Sequence, residues 1–314
     1  MAMNATEATT VARPRWRRRS TRLRRRQTRL AWLMLAPSLL VVAIVAFYPL
    51  GRTVYQSFTN QQFLALEPTK WIGFKNYFGA AGLIHDSVFR SSVITTVKFT
   101  VITVAFEFVL GLVIALVVNS NFKGRGVMRA VMLVPWAIPT VISAQIWNWM
   151  YNDIYGVFND ILLRLHLIHH GVAWTAQSNT ALGSVAAVDI WKTTPFVALL
   201  LLAGLQVIPG ELYEAAAVDG ASNLQQFWRI TLPLLRPAIL VALIFRTLDA
   251  LRVFDVFYVL LGQRPGSESM AILDQSTIVQ TGDVGYGAAM SVAIFLIVGI
   301  FVVIYVTLLR VEEQ

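Results

Sequence analysis

The sequence predicts an all-α fold, a polytopic membrane helix bundle with about six transmembrane helices. Hydrophobic residues make up 56% of the chain and charged residues only 14%, whereas a soluble domain usually carries about 25% charged residues. The apolar residues are concentrated in six long segments, and a helix needs about 20 such residues to cross a bilayer. Lipid is therefore the solvent that this composition predicts for most of the chain.

The six predicted spans follow one another with short or medium connections. They are Leu30–Leu50, Val93–Val118, Val127–Trp149, Leu182–Val207, Leu234–Leu261 and Gly287–Leu309. The first and last spans have the clearest hydropathy, while the fourth and fifth contain charged residues. We expect each span to be one helix, with a few residues of uncertainty at each end.

The N-terminal segment is strongly basic, with ten arginines between Arg13 and Arg29. A basic tail can bind nucleic acid, but this one directly precedes an apolar run, which favours a cytoplasmic anchor under the positive-inside rule. We therefore predict a basic cytoplasmic tail at residues 1–29, a membrane domain at residues 30–310, and no nucleic-acid partner. Six spans place both termini in the cytoplasm of a multi-pass protein of the cell membrane.

Composition and motifs argue against several other classes of protein. The chain has no cysteine, and the neighbouring His166, His169 and His170 fit a solvated loop better than a metal site. A membrane enzyme would need clustered carboxylates or histidines at a membrane face, and Asp153 with Asp160 is an unremarkable pair. An ion channel would need a pore loop or a ring of charges. We predict no metal, no cofactor and no catalytic residue in this chain.

Several ionisable side chains lie within the predicted spans. They are Lys98, Glu107, Asp189, Lys192, Arg246, Asp249, Arg252 and Asp255. A charge at mid-bilayer costs about 2.5 kcal/mol or more, so such residues usually face a cavity or a partner. The four on the fifth span are spaced by three with alternating sign, which permits intrahelical pairs. They either neutralise one another or form a polar wall along a solute path, whereas Glu107 is interpreted as a brace inside the bundle.

The connection at residues 207–233, between the fourth and fifth spans, does not have the composition of a span. Pro209 and Gly210 end the preceding helix, and a short alanine-rich helix is predicted to follow. Gly220 ends that helix, and Ser222 caps a second one. Pro233 and Pro237 are expected to stop the second helix before the fifth span. An ordinary amphipathic connection would fit these features as well as a docking surface.

One motif decides between these two interpretations. Glu214-Ala215-Ala216, then Gly220 after three residues, then Ile230 and Leu232-Pro233, resembles the EAA loop of binding-protein-dependent ABC importer permeases. The resemblance implies that residues 207–233 form a cytoplasmic coupling helix and its elbow, which dock on an ATPase subunit. The implied coupling residues are Glu214, Ala215, Ala216, Asp219 and Gly220. The chain has no GxxxxGK[ST] phosphate loop, so ATP and Mg would be bound by partner ATPase subunits.

Further motifs resemble the carbohydrate branch of these permeases, and narrow the expected substrate. Leu35-Ala36-Pro37 and Phe254-Asp255 are similar to the maltose permease, while the stretches 189–196 and 245–249 are similar to mycobacterial trehalose-importer permeases. The resemblance implies a permease domain for a sugar, such as the disaccharide trehalose, with another polar solute such as glycerol phosphate as the alternative. The implied partners are a second permease subunit, two ATPase subunits and an extracytoplasmic solute-binding protein.

The same resemblance implies a set of substrate-binding positions on the third, fourth and fifth spans. These are Trp136, Thr140, Asp189, Lys192, Thr193 and Arg246, to which we add Asp249 because it lies one helical turn from Arg246. Ala250 and Val253 are apolar where the maltose permease has polar residues. This departure is consistent with a different sugar.

Overall fold

The computed structural model describes residues 22–63, 68–263 and 267–308, and no strand occurs among them. The helices are α1 (Arg22–Val42), α2 (Tyr48–Gln56), α3 (Lys75–Phe78), α4 (Ser87–Asn119), α5 (Arg125–Met132), α6 (Val134–Ala137), α7 (Thr140–Met150), α8 (Val157–Arg164), α9 (Ser178–Val207), α10 (Glu211–Val218), α11 (Asn223–Gln226), α12 (Leu232–Ala250), α13 (Asp255–Leu261), α14 (Met270–Val279) and α15 (Val284–Leu308). Two π-helical turns, Ala43–Phe47 and Phe227–Thr231, join α1 to α2 and α11 to α12. The predicted all-α fold is confirmed.

The described residues include five helices that are long and apolar enough to cross a membrane. They are Arg26–Gln56, Ser87–Asn119, Ser178–Val207, Asn223–Ala250 and Val284–Thr307. A sixth candidate span is a bent pair, Arg125–Ala137 with Thr140–Met150, whose two parts meet at 88°. The predicted number of about six transmembrane helices is therefore confirmed.

The chain divides into two compact units, the first ending at Arg52 and the second beginning at Thr53. In the first unit α1 begins at Arg22, within the predicted basic tail, and residues 1–21 lie outside the described part of the chain. The side chains that are described in this unit are almost all exposed. An apolar helix with so little cover of its own is suited to lipid contact.

The second unit is built around α9, which has buried residues along its whole length. α4 and α12 pack against α9 closely enough that a side chain in place of either of two glycines would clash. A Cβ on Gly111 would lie 2.9 Å from Val197 Cγ1, and a Cβ on Gly204 would lie 2.4 Å from Ala238 Cβ. Small residues at such crossings let the helix backbones approach, which is a common way to pack helices in membranes.

The third predicted span, Val127–Trp149, is wrong as a single helix. Pro139 offers no N–H to the helix ladder and disfavours helical geometry at the preceding residue. Ile138 accordingly adopts extended backbone with φ −71° and ψ 133°. The apolar run therefore folds as α5 and α6 on one side of the bend and α7 on the other.

The fifth predicted span, Leu234–Leu261, is also wrong as a single helix. α12 ends at Ala250, and α13 begins only at Asp255. The last turn tightens because the Val253 N–H donates to the Ala250 carbonyl at 3.2 Å, a spacing of three residues. Ser269 Oγ then donates to the Val253 carbonyl at 2.7 Å, which gives the broken segment a partner outside the helix.

The short helices of the connection at residues 207–233 are confirmed, but their predicted end is wrong. α10 covers Glu211–Val218, Gly220 has a positive φ of 81°, and Ser222 forms a capping box with Gln225. Pro233 and Pro237 do not stop the second helix, because the π turn at Phe227–Thr231 precedes Pro233 and α12 continues through both prolines. A π turn widens the backbone and can make room for a proline ring that would clash with the preceding turn.

Candidate functional site

A cavity of about 260 Å³ lies where the bend before α7 faces α9 and the end of α12. All seven predicted substrate-binding residues line it: Trp136, Thr140, Asp189, Lys192, Thr193, Arg246 and Asp249. The remaining lining residues lie in the break between α12 and α13 or at the helix ends beside it: Ala250, Arg252, Val253, Phe254, Asp255 and Val256. The cavity therefore lies beside both breaks that the sequence did not predict, the bend before α7 and the gap between α12 and α13.

Arg246 is the centre of a buried charge network that joins three long helices. Its side chain is only 3% exposed and forms ion pairs with Glu107 of α4, Asp189 of α9 and Asp249 of α12. The Arg246 Nη2–Glu107 Oε1 distance is 3.0 Å and the Nη1–Asp249 Oδ2 distance is 2.8 Å. Glu107 and Asp189 are nearly inaccessible, while the Asp249 side chain is 72% exposed. Asp249 is therefore the member that presents its carboxylate to the cavity.

Two further polar side chains of α9 are held by specific partners. Lys192 Nζ donates to the carbonyl oxygens of Trp136 at 3.2 Å and Ile138 at 2.5 Å. The Thr193 hydroxyl lies 2.6 Å from Glu107 Oε1. Lys192 thus supplies donors to the backbone at the bend, where the helix cannot supply its own.

Aromatic side chains form the other part of the wall. Trp136 is about half exposed and stacks on Phe196 with ring centroids 5.7 Å apart and an interplanar angle of 13°. A neighbouring cavity of about 320 Å³ shares Trp136, Arg246 and Asp249 with the first cavity and adds Phe196 and Phe245. A broad indole face beside hydrogen-bonding groups suits a small ligand that has both polar edges and an apolar face.

The charged ladder predicted for the fifth span does not exist as one helical face. Arg246 and Asp249 form an ion pair on α12, but Arg252 and Asp255 lie beyond its end. The Arg252 Nε donates to the Leu248 carbonyl at 3.1 Å. The cavity therefore receives Arg252 from the non-helical break and Asp255, the first residue of α13, from the helix that follows.

Glu107 is the residue of the network that the sequence analysis left out of the site. It does not line the cavity, yet it contacts two residues that do, Thr193 and Arg246. Its charge within an apolar span was the available signal. Its partner Arg246 lies 139 residues away in the sequence, and no local spacing identifies such a pair.

The predicted coupling residues form a separate surface away from the cavity. Among them Ala216 is half-buried, and the others are exposed. The Tyr213 hydroxyl lies 3.0 Å from Thr231 Oγ1, which ties α10 to the π turn before α12. This contact joins α10 to the turn that precedes α12, the helix that carries Arg246 and Asp249. Among the described residues no group of three or more His, Cys, Asp or Glu side chains could hold a metal ion.

The helix bundle contains a cavity with polar and aromatic walls, and an exposed short helix contacts the turn that precedes one of the helices that form it. These features are typical of a solute-transport component. Residues 107–311 match the family described as binding-protein-dependent transport system inner membrane component. The chain belongs to this family, the permease subunits of ABC transporters, as the EAA-like motif predicted.

Several characterised proteins are similar over nearly the whole chain. A trehalose/maltose transport system permease protein of Thermococcus litoralis is 43% identical over 91% of this chain and 95% of its own length. A sulfoquinovosyl glycerol transport system permease protein of Agrobacterium fabrum is 39% identical over 90% and 91%. A trehalose transport system permease protein of Mycobacterium tuberculosis is 36% identical over 90% and 89%. These relatives agree on the class of protein and differ in their named substrates.

A solved structure has the same fold. A bacterial ABC transporter involved in the import of the acidic polysaccharide alginate aligns with a TM-score of 0.78 over 94% of this chain and 100% of the matched chain. The sequences are 24% identical, so this likeness concerns the fold alone.

Proposed function

We propose that this chain forms half of the translocation path of an ABC importer for a sugar, with a disaccharide such as trehalose as the substrate. The observation that carries the proposal is the face of Trp136 next to the hydrogen-bonding groups of Asp189, Lys192 and Asp249. Sugar hydroxyls need such donors and acceptors, and the apolar face of a sugar ring packs on an aromatic ring. Two of the relatives are named for trehalose, which supports the same class.

The proposed partners follow from the family. A second, similar permease subunit completes the path, and an extracytoplasmic solute-binding protein delivers the sugar. Two ATPase subunits bind ATP and Mg, and one of them receives α10 through Glu214, Ala215, Ala216, Asp219 and Gly220. The exposure of that surface and the Tyr213–Thr231 contact with the start of α12 support this role. In this arrangement residues 207–233 and both termini lie in the cytoplasm.

Uptake of labelled sugars tests the substrate class. Cells with and without the chain are given trehalose, maltose and glycerol 3-phosphate, and we expect the chain to be required for one disaccharide. Loss of glycerol phosphate uptake alone would replace the sugar by the alternative polar solute. If no uptake changes, the carbohydrate assignment is withdrawn.

A pair of tryptophan variants tests the cavity itself. Trp136→Ala removes the partly exposed ring, and we expect up to about a tenfold loss of uptake at low sugar concentration, since aromatic packing contributes about 0.5–1.5 kcal/mol. Trp149→Ala is the matched control, because Trp149 is 71% exposed and does not line the cavity. Equal losses in the two variants would contradict the assignment of the cavity.

A further inference from the structure

We propose that Glu107 sets the charge selectivity of the cavity, although it does not line it. Its carboxylate accepts hydrogen bonds from Arg246 on the side away from the cavity, so those donors are not free to bind an anion. The cavity therefore selects neutral sugars over sugars that carry a negative charge. This inference rests on the proposed function, because it concerns which sugars the same cavity accepts. Glu107 is a positioning residue that acts through Arg246.

The hydrogen bonds of Arg246 show how little of it remains for a ligand. A guanidinium group has five N–H donors. Glu107 accepts from Nε and from Nη2, Asp189 accepts from Nη2, and Asp249 accepts from Nη1. Four of the five donors therefore point at carboxylates. Nε and Nη2, a pair that could bind a phosphate or carboxylate bidentately, already donate to Glu107.

The charge balance points in the same direction. The cavity wall carries three cations and three carboxylates: Lys192, Arg246 and Arg252 against Asp189, Asp249 and Asp255. Glu107 lies behind this wall with 0% side-chain exposure. Its additional negative charge makes the net charge around the cavity negative. This charge acts on a ligand in the cavity because buried charges are screened much less than exposed ones. Lys192 is already counted among the three cations of the wall, and its ammonium donates to two backbone carbonyls, so these donors are not free for an anionic ligand.

A purely structural role for Glu107 predicts a different result. A buried pair that only joins α4 to α12 would affect stability, and binding of all ligands would change together when it is lost. A role in selectivity changes the ratio between neutral and anionic ligands, whatever happens to stability. The ratio is therefore the measurement that separates the two roles.

The test is equilibrium binding to the purified, assembled transporter without its solute-binding protein. The probes are labelled trehalose and maltose, each compared with its 6-phosphate, which has the same sugar framework and an added negative charge. In the wild type we expect a neutral disaccharide to bind at least about tenfold more tightly than its phosphate. Glu107→Gln keeps the size of the side chain and a hydrogen-bonding oxygen, and we expect it to lower this ratio about tenfold.

The control is Asp274→Asn, a half-buried carboxylate that accepts a 2.6 Å hydrogen bond from Ser291 and does not line the cavity. It should leave the ratio unchanged. If Glu107→Gln fails to assemble, Asp249→Asn removes a negative charge from the same network at an exposed position, and the same fall in the ratio is expected.

The outcomes are distinct. Equal binding of a disaccharide and its phosphate by the wild type would overturn the inference. So would an unchanged ratio in an assembled Glu107→Gln variant or, where that variant does not assemble, in Asp249→Asn. Failure of the wild type to bind either neutral disaccharide would contradict the proposed function itself, and the inference with it.

Discussion

At the scale of single residues, Lys192 has two roles at once. Its ammonium group belongs to the cavity wall, and it also donates to the carbonyl groups of Trp136 and Ile138 beside the bend at Pro139. Those carbonyls lie at the end of α6, where the chain bends by 88° before α7, and the last carbonyl groups of a helix have no partner within it. A polar side chain of the proposed solute path therefore also stabilises the bend beside the cavity.

Replacement of Lys192 by Met tests this stabilising role. Met has a similar length but no donor, so the two carbonyls lose their partner and we expect the free energy of unfolding to fall by about 1–3 kcal/mol. Lys98→Met is the control, because Lys98 is exposed on α4. Thermal unfolding of the purified protein measures both variants. An equal shift of the two midpoints would contradict the role given to Lys192.

The candidate site shows which parts of a site a sequence can predict. The motifs on the third, fourth and fifth predicted spans, with Asp249 added by helical spacing, led to seven residues that line one cavity, although their contact with a solute stays a prediction. Glu107 was missed because its partner comes from a distant part of the chain. Spacing along a helix identifies pairs such as Arg246 with Asp249, but packing between helices decides which charge faces a cavity and which lies behind it.

At the scale of helices, the connection between α9 and α12 depends on one backbone conformation. Gly220 has a φ of 81°, and its N–H donates to the Ala217 carbonyl at 3.1 Å. Glycine adopts this left-handed region without steric cost, whereas other residues rarely do. The chain direction between α10 and α11 therefore depends on the backbone conformation of Gly220, where an added Cβ would meet no other atom within 4 Å.

Gly220→Pro tests the proposed coupling. Proline fixes φ near −65° and has no N–H, so it cannot reproduce the elbow, and we expect sugar uptake to be abolished while the chain still inserts in the membrane. Gly210→Ala is the control, since Gly210 has a φ of −61° and open space around its Cα. Uptake and the amount of protein in the membrane fraction are measured together. Normal uptake by Gly220→Pro would refute the coupling assignment.

Average hydropathy predicts where the spans lie, but it does not predict where a helix within a span is broken. Average hydropathy predicted the positions of the spans, because the cost of exposing backbone to lipid requires long apolar helices. It could not predict that the third and fifth spans are broken, since a bend changes direction without changing composition. Pro139 was a visible signal for one break. The other break begins after Ala250, and the Val253 carbonyl within it accepts a hydrogen bond from Ser269, 16 residues further along the chain.

At the scale of the whole molecule, polar and apolar side chains are arranged for lipid. In the second unit the most deeply buried groups include Glu107 and Arg246, whereas Phe295, Leu296 and Val303 of α15 are each about 60% exposed. A water-soluble protein would have the opposite arrangement. The bilayer therefore covers the apolar faces, and the orientation of the chain in it decides which surface can meet an ATPase.

Cysteine labelling tests that orientation, and the sequence makes the experiment clean because it has no native cysteine. Leu224 lies next to the elbow and His169 lies in the connection between α8 and α9, and both are exposed. With the N-terminus in the cytoplasm, a membrane-impermeant maleimide should label His169→Cys in intact cells and Leu224→Cys only after the membrane is opened. This order follows from the ten arginines before the first span, which the positive-inside rule keeps in the cytoplasm. The reverse order would place α10 where no ATP-driven partner can reach it, and the coupling proposal would fail even if the cavity binds a sugar.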